Sequence, residues 1–562
     1  MPHDAFLRAI IADPDDDLPR LVYADFLDET GDPDRAEFVR VQCRLAETEE
    51  HDPHFRELED REHTLLAANE GKWFREREGL NEWVWRRGFV DEVADSDSNR
   101  EASETLFAAQ PIRRWNIQTR DVHSALLLSA ESVARLTHFD SSGQPWHERN
   151  KCIATRLLNE SRLKSYRHFS IPSVLDFADL LVGIPSPSSL TELRLAGGST
   201  YRLSLRYSLR ASSVGEALAG ALAKRNVAEL GLNNCELTTQ DIGHILNAEC
   251  GARFTELDIS ENPIGPDGYR AFEKAHPAMR LQSLDVSGTP LAGISLEPLL
   301  NTRALESLTQ LEINGCGSAR RNMQVLSNSA YWSQATHLRV HSGTIPADTL
   351  EPLCDRLGPP ALRLLDLADN YLRTEGVRML CEAPWVDSLT WLALSGNYLD
   401  DDACKILAVS GRFRRLRTLH LSGNNLTQER GDGEQITDEG VAALAMSPDF
   451  ANLRILTLNH LNIHRRSVFF LLNSPHWILS GVGVAGCDLG PPSIDVICES
   501  RNLARLNWLD LSGNRRLGGA ALRPLAESPY LSPICELDCG GIDLAPDVTA
   551  IFRERLGVRF AP

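Results

Sequence analysis

The sequence predicts an α/β solenoid, with a parallel β-sheet on its concave side, helices outside, and a small, mainly helical domain at the N-terminus. Three observations predict it. The chain has 562 residues, far more than one ordinary core supports. A pattern of the form Leu-x-x-Leu-x-Leu-x-x-Asn-x-Leu recurs along it at fixed spacing. The L-x-L centre of that pattern reads as a short strand, and the residues after it carry apolar groups at helical spacing, as in DDACKILAVSGRF after Leu399.

Clear copies begin at Phe254 (FTELDISENPI), Leu281 (LQSLDVSGTPL), Leu362 (LRLLDLADNYL), Leu389 (LTWLALSGNYL) and Leu416 (LRTLHLSGNNL). Weaker copies begin at Val227, Leu308, Ala335, Leu453, Leu479, Leu506 and Ile534. The eight starts from Val227 to Leu416 are each 27 residues apart. Degraded copies begin upstream at Ile112, Leu136, Leu163 and Leu190. Two gaps measure 37 residues, from Leu190 to Val227 and from Leu416 to Leu453, so each holds ten extra residues. In the second gap these lie near TQERGDGEQ, whose polarity and glycines predict an exposed loop.

No such unit can bury its apolar face alone, so neighbours must stack. The asparagines at the ninth position (Asn262, Asn370, Asn397, Asn424, Asn514) can bond backbone groups of adjacent turns. Cys235, Cys316 and Cys487 occupy that slot elsewhere, while Leu461 and Ile542 break the rule and predict local irregularity. Cys354, Cys381 and Cys498 each lie 19 residues after a start, among helical apolar positions. This placement predicts that all twelve cysteines are unpaired, in a reducing compartment, with the cytoplasm as the default. From about Ile112 to the C-terminus the chain resembles the ribonuclease-inhibitor-like class of leucine-rich repeats. The resemblance implies a horseshoe solenoid whose concave sheet binds protein. The closing VTAIFRERLGVRF reads as a capping helix.

Residues 1–93 do not fit the repeat. DAFLRAII, PRLVYADFLDETG, EFVRVQCRLAE and FRELEDREHTLLAANE read as four helices, with Pro at a start and Gly or Asp-Pro at stops. Trp83 to Val90 reads as one strand. The stretch AFLRAIIADPDDDLPRLVYADFLDETGDPDRAEFVRVQCRLA, with WRRGFVDEV after it, resembles the repeat-companion domain, a bacterial module N-terminal to repeat arrays. The resemblance implies no catalytic activity. The expected division is a helical domain at 1–93, a linker and capping helix at 94–111, and the solenoid at 112–562.

Net charge is −20, from 58 Lys+Arg against 78 Asp+Glu. Such a surface opposes nucleic-acid backbones and suits a basic protein partner. The N-terminus lacks the basic region of a signal peptide, and no apolar run of membrane-spanning length occurs, so no membrane contact is expected. The carboxylates from Asp13 to Asp34 depart from calcium-loop spacing and read as a solvated loop with helix-capping charge. No phosphate loop, HExxH helix or GxSxG elbow is present. Neither a metal nor another cofactor is expected.

The concave face consists of the residues between the strand leucines. It reads as acidic first (Glu229, Glu256, Asp258, Asp285, Glu312), then His337, Arg339 and His341, then apolar (Leu364, Trp391, Ile455, Trp508). The two histidines, about 13 Å apart along one strand, are too far apart to share a metal. Asp in LDxS also recurs as repeat background, at Asp258, Asp285, Asp366 and Asp510. The function expected is a non-enzymatic interaction scaffold or inhibitor-like binder, with Trp391 and Trp508 held out as anchors. The alternatives are a GTPase-activator-like regulator, which rests on fold analogy alone, and a recruiter whose N-terminal domain is the effector.

Overall fold

A computed structural model describes residues 2–48, 54–74, 80–95, 100–117, 128–140, 156–157, 164–171, 190–197, 213–264, 266–288, 295–315, 320–355, 358–359, 361–424 and 435–561. The chain divides into two compact units, Met1–Cys235 and Glu236–Pro562.

The first unit opens with four helices, α1 (Pro2–Ala12), α2 (Leu18–Thr30), α3 (Pro33–Glu47) and α4 (Phe55–Trp73). Gly31 ends α2 in the left-handed conformation, and Asp32 caps α3 by accepting the Arg35 N–H. Their apolar faces meet in a core of Ile10, Tyr23, Leu27, Val39 and Phe89, with a second cluster of Phe38, Val41 and Leu65. The segment expected as one strand is a hairpin, β1 (Leu80–Arg86) and β2 (Phe89–Asp95), paired antiparallel. Arg87 and Gly88 both have positive φ, as a two-residue type I′ turn requires.

Side chains from α2 and α3 hold that turn. Arg20 donates to the Arg87 carbonyl, Arg35 donates to the Gly88 carbonyl, and Gln42 accepts the Gly88 N–H. A Cβ on Gly88 would stand 2.7 Å from Val39 Cγ2, so only glycine fits. The buried Arg35 guanidinium lies against Phe38, Trp73, Trp85 and Phe89, at 4.9–5.4 Å from their centroids. Burial brings its pKa down to about 10.

From β2 the sheet of this unit runs parallel through β3 (Arg114–Ile117), β4 (His138–Asp140), β5 (Ser165–Ile171), β6 (Glu192–Gly197) and β7 (Glu229–Asn233). A helix spans Arg100–Ala109.

The second unit continues the same grammar: β8 (Glu256–Asp258), β9 (Ser283–Asp285), β10 (Gln310–Glu312), β11 (His337–Arg339), β12 (Leu364–Asp366), β13 (Trp391–Ala393), β14 (Thr418–His420), β15 (Ile455–Thr457), β16 (Gly481–Gly483), β17 (Trp508–Asp510), β18 (Glu536–Asp538) and β19 (Phe560–Ala561). All pair in parallel with their sequence neighbours. Each strand from β8 to β18 begins two residues after a repeat start. This is the leucine-rich-repeat solenoid, with helices between successive strands. The fourth- and sixth-position leucines, such as Leu392 and Leu394, are buried. Burying each contributes about 1.5–3 kcal/mol.

The eighth position is left-handed in turn after turn, at Glu261, Gly288, Gly315, Ser342, Asp369, Gly396, Gly423, His460, Gly486, Gly513 and Gly541. That bend delivers the ninth-position asparagine into the stack. Asn424 Oδ1 accepts from the Asn397 and Leu399 N–H groups, and Nδ2 donates to the Leu394 and Leu421 carbonyls. Asn370 and Asn514 repeat the arrangement. Cys487 fills the slot with its thiol against the Leu458 and Ala485 carbonyls. The irregularity expected at Leu461 is confined to the side chain: Leu461 is buried, and Asn459 two residues earlier accepts the Ala485 N–H. At the end, the Pro546–Leu556 helix covers the core through Val548 and Phe552. Its Arg555 donates to the carbonyls of Ala526, Ser528 and Leu531.

The TQERGDGEQ insertion, Cys152 and Cys316 lie outside the described residues, apart from the insertion's final Gln435. The ten described cysteines are free. Burial pushes most of these thiols up, Cys354 and Cys535 to about 12 and Cys487 to about 11. A thiol reagent at pH 8 is therefore expected to label the native chain slowly and, after denaturation without reductant, to reach all twelve cysteines. A shortfall after denaturation would reveal a disulfide. Asn424→Ala strands buried N–H and C=O groups and is expected to cost about 3 kcal/mol in urea unfolding. Asn424→Cys should cost less, since Cys487 already serves in the same slot.

Candidate functional site

The open face of the second unit's sheet is built from positions three and five of each repeat, because the leucines at four and six point under the helices. Position three reads Glu256, Ser283, Gln310, His337, Leu364, Trp391, Thr418, Ile455, Gly481, Trp508 and Glu536. Position five reads Asp258, Asp285, Glu312, Arg339, Asp366, Ala393, His420, Thr457, Gly483, Asp510 and Asp538. Glu229 holds the third position on β7, in the first unit, and is half-buried.

The position-five aspartates have a structural duty. Oδ1 of Asp258, Asp285, Asp366, Asp510 and Asp538 each accepts the backbone N–H two residues on. This tightens the exit from the strand and explains why Asp recurs there. Glu312 departs from the pattern. The N–H it would have taken, that of Asn314, goes to Ser287 Oγ. Its carboxylate lies beside Asp285 on one strand and Arg339 on the other, with Arg339 Nε 3.5 Å away. Burial and the neighbouring Asp285 push its pKa up to about 7, against the opposing pull of Arg339. Asp285 is raised too, first by burial and then by Asp258.

Trp391 pairs in register with Leu364, as neighbouring strands demand. Its ring is not held out into solvent; it is half-buried. The Arg339 guanidinium lies 5.7 Å from the ring centroid, and the His420 imidazole lies 5.0 Å away, tilted by 57°. His420 Nδ1 is 2.9 Å from Thr457 Oγ1, and burial lowers its pKa. Trp508 is also half-buried rather than projecting. It lies across the adjacent strand, where Gly481 and Gly483 have no side chains. Cβ atoms built on those glycines would stand 3.2 and 3.0 Å from the indole. Ile455 stands on the other side of Gly481.

His337 and Arg339 share β11, but His341 does not: it lies in the turn two residues beyond the strand, with Nδ1 near Ser342 Oγ. Burial lowers the His337 pKa. Among the described residues no cluster of His, Cys, Asp or Glu could hold a metal ion. No described helix is long and apolar enough to cross a membrane.

The structure thus brings together Arg339, Leu364 and Trp391 and separates Trp508 onto its glycine floor. His420, Thr457 and the far acids Glu536 and Asp538 were not anticipated. Each sits at position three or five, so reading both columns to the end would have found them.

The family described as "Leucine Rich repeat" matches residues 254–272, the turn that carries Glu256 and Asp258. No curated protein matches the sequence. Among solved structures the chain is similar to a yeast protein in the complex of Rad7 and Elc1, at 16% identity and a TM-score of 0.41, covering 64% of this chain and 79% of that one. An internalin, InlF, of Listeria monocytogenes is 16% identical with a TM-score of 0.35, covering 68% of this chain and 87% of the other. A chain of the TLR13–ssRNA13 complex is 16% identical with a TM-score of 0.32, covering 77% and 62%.

Glu312 gives a pH-dependent stability. Its unfolded pKa is near 4.5 and its folded value about 7, so the folded state disfavours the ionised form. Its contribution is whole below 4.5 and is lost as pH rises through 7. Glu312→Gln is therefore expected to leave the melting temperature unchanged at pH 4 and raise it at pH 8. An equal effect at both pH values would contradict this.

Proposed function

We propose that the chain is a non-enzymatic protein-interaction scaffold or inhibitor-like binder whose partner docks on the open sheet face of the second unit. The observation that carries this reading is an apolar centre bounded by carboxylates at both ends. Leu364, Trp391, Ile455 and Trp508 occupy one column. Asp258, Asp285 and Glu312 lie before them, and Asp510, Glu536 and Asp538 at or beyond their end, while Asp366 beside Leu364 is buried and bonded to the Ala368 N–H. A basic partner with an apolar contact surface complements that arrangement. The strands beneath are fixed by the asparagine stack, so the surface is rigid and loses little entropy on binding. Arg339 and His420 hold the Trp391 ring in one orientation, which suits an anchor. The division at 1–93, 94–111 and 112–562 belongs to the same reading, with the N-terminal domain as a companion to the binding array.

The test uses the partner recovered by cross-linking in the native cell. Trp391→Ala is expected to weaken that partner by about 2 kcal/mol or more with the melting temperature nearly kept. Glu256→Lys combined with Glu312→Lys should slow association and flatten its salt dependence. Undiminished affinity in a folded Trp391→Ala protein would overturn the proposal.

A further inference from the structure

The helices on the other side of the second unit's sheet share one register, so equivalent positions can be compared. At position seventeen the residues are Glu351, Arg378, Lys405, Ala442, Phe469 and Asp495. Phe469 is the one large apolar residue in that row, and half its surface is exposed. At positions thirteen and fourteen the two preceding helices place acids, Asp401 and Asp402, then Asp438 and Glu439, while the following helix has Pro491 and Pro492. Those acids suit the positive end of a helix. The Arg465–Asn473 helix has Arg465 and Arg466 there instead, and no acid in its first turn. Its N-terminal end is thus charged against its own dipole.

Among the described residues Arg465 makes no hydrogen bond or ion pair, and Arg466 only lies 5.8 Å over the Phe470 ring. The nearby acid, Asp438, is already engaged: its Oδ1 accepts from the His464 and Ser467 N–H groups and the Ser467 hydroxyl. The two phenylalanine rings stand edge to face, 5.7 Å apart. They line a cleft of about 590 Å³ with Asp438, His464, Arg465, Arg466 and Val496. An unpaired basic pair beside exposed aromatic surface, in a chain of net charge −20, is complementary to acid flanking a large apolar group.

We propose that this face is a second docking site, for a segment of a partner protein with one aromatic or aliphatic side chain between Asp or Glu residues. The apolar side chain packs on Phe469 and Phe470, and the carboxylates bond the two guanidinium groups. The site is separate from the open sheet face and does not depend on the reading given to it.

A random short-peptide library displayed on phage and panned on the immobilised full-length chain tests it. The expected pool is rich in Asp and Glu around Phe, Trp or Leu. Synthetic peptides from that pool should bind Arg465→Glu/Arg466→Glu about tenfold more weakly, as expected when charge-assisted contacts become repulsive. The same double variant should melt higher, because it restores acid to the helix start. That opposite movement separates lost binding from lost folding. Phe469→Ala, the residue type at the equivalent Ala442, should weaken the peptides while keeping the melting temperature. Peptides selected by the open sheet face would instead be basic and sensitive to Trp391→Ala. A pool that binds the double variant as well as the natural chain overturns the proposal. So does equal binding by acidic peptides whose apolar residue is replaced with Gly, which would make the face a general polyanion surface.

Discussion

Each turn of the second unit must bend sharply after its strand, and the bend leaves backbone N–H and C=O groups buried. Where asparagine holds the ninth position its amide satisfies them, and Cys487 and Asn459 serve in turns that lack it. One side chain spans its own turn and the turn before it, so the stack is tied along its length by Asn370, Asn397, Asn424 and Asn514. The left-handed eighth position and the 27-residue spacing from Phe254 to Leu416 serve this bond. The strands lie in strict parallel register because their exits are pinned, and the open face inherits its columns from that pinning.

The same economy explains what was legible beforehand. Period and spacing locate every strand from β8 to β18, because the leucines and the asparagine must recur to bury the core. The first unit was harder. Its hairpin turn is Arg87-Gly88 rather than Asn-Gly, so Trp83 to Val90 carries no strong turn signal. The turn is instead secured at long range by Arg20, Arg35 and Gln42, all within the stretch that resembles the repeat-companion domain.

On the open face the residue types were visible but their postures were not. A tryptophan at position three must leave the core side. Whether it stands or lies down depends on the next strand, and Trp508 lies down because Gly481 and Gly483 make room. The aspartates of the LDxS turns look like a binding surface and are also turn fasteners. Glu312, one methylene longer, does not fasten its turn, and burial beside Asp285 raises its pKa.

The hairpin has a further consequence. β2 pairs with β3 on one side and β1 on the other, so the N-terminal residues supply the strand that closes the start of this unit's sheet. A chain cut at residue 95 would present β3 with its backbone donors and acceptors open. Such an edge is a template for a second chain. The helical module, by gripping the turn between β1 and β2, therefore holds the strand that covers β3 and moves the open edge of the first repeat onto β1.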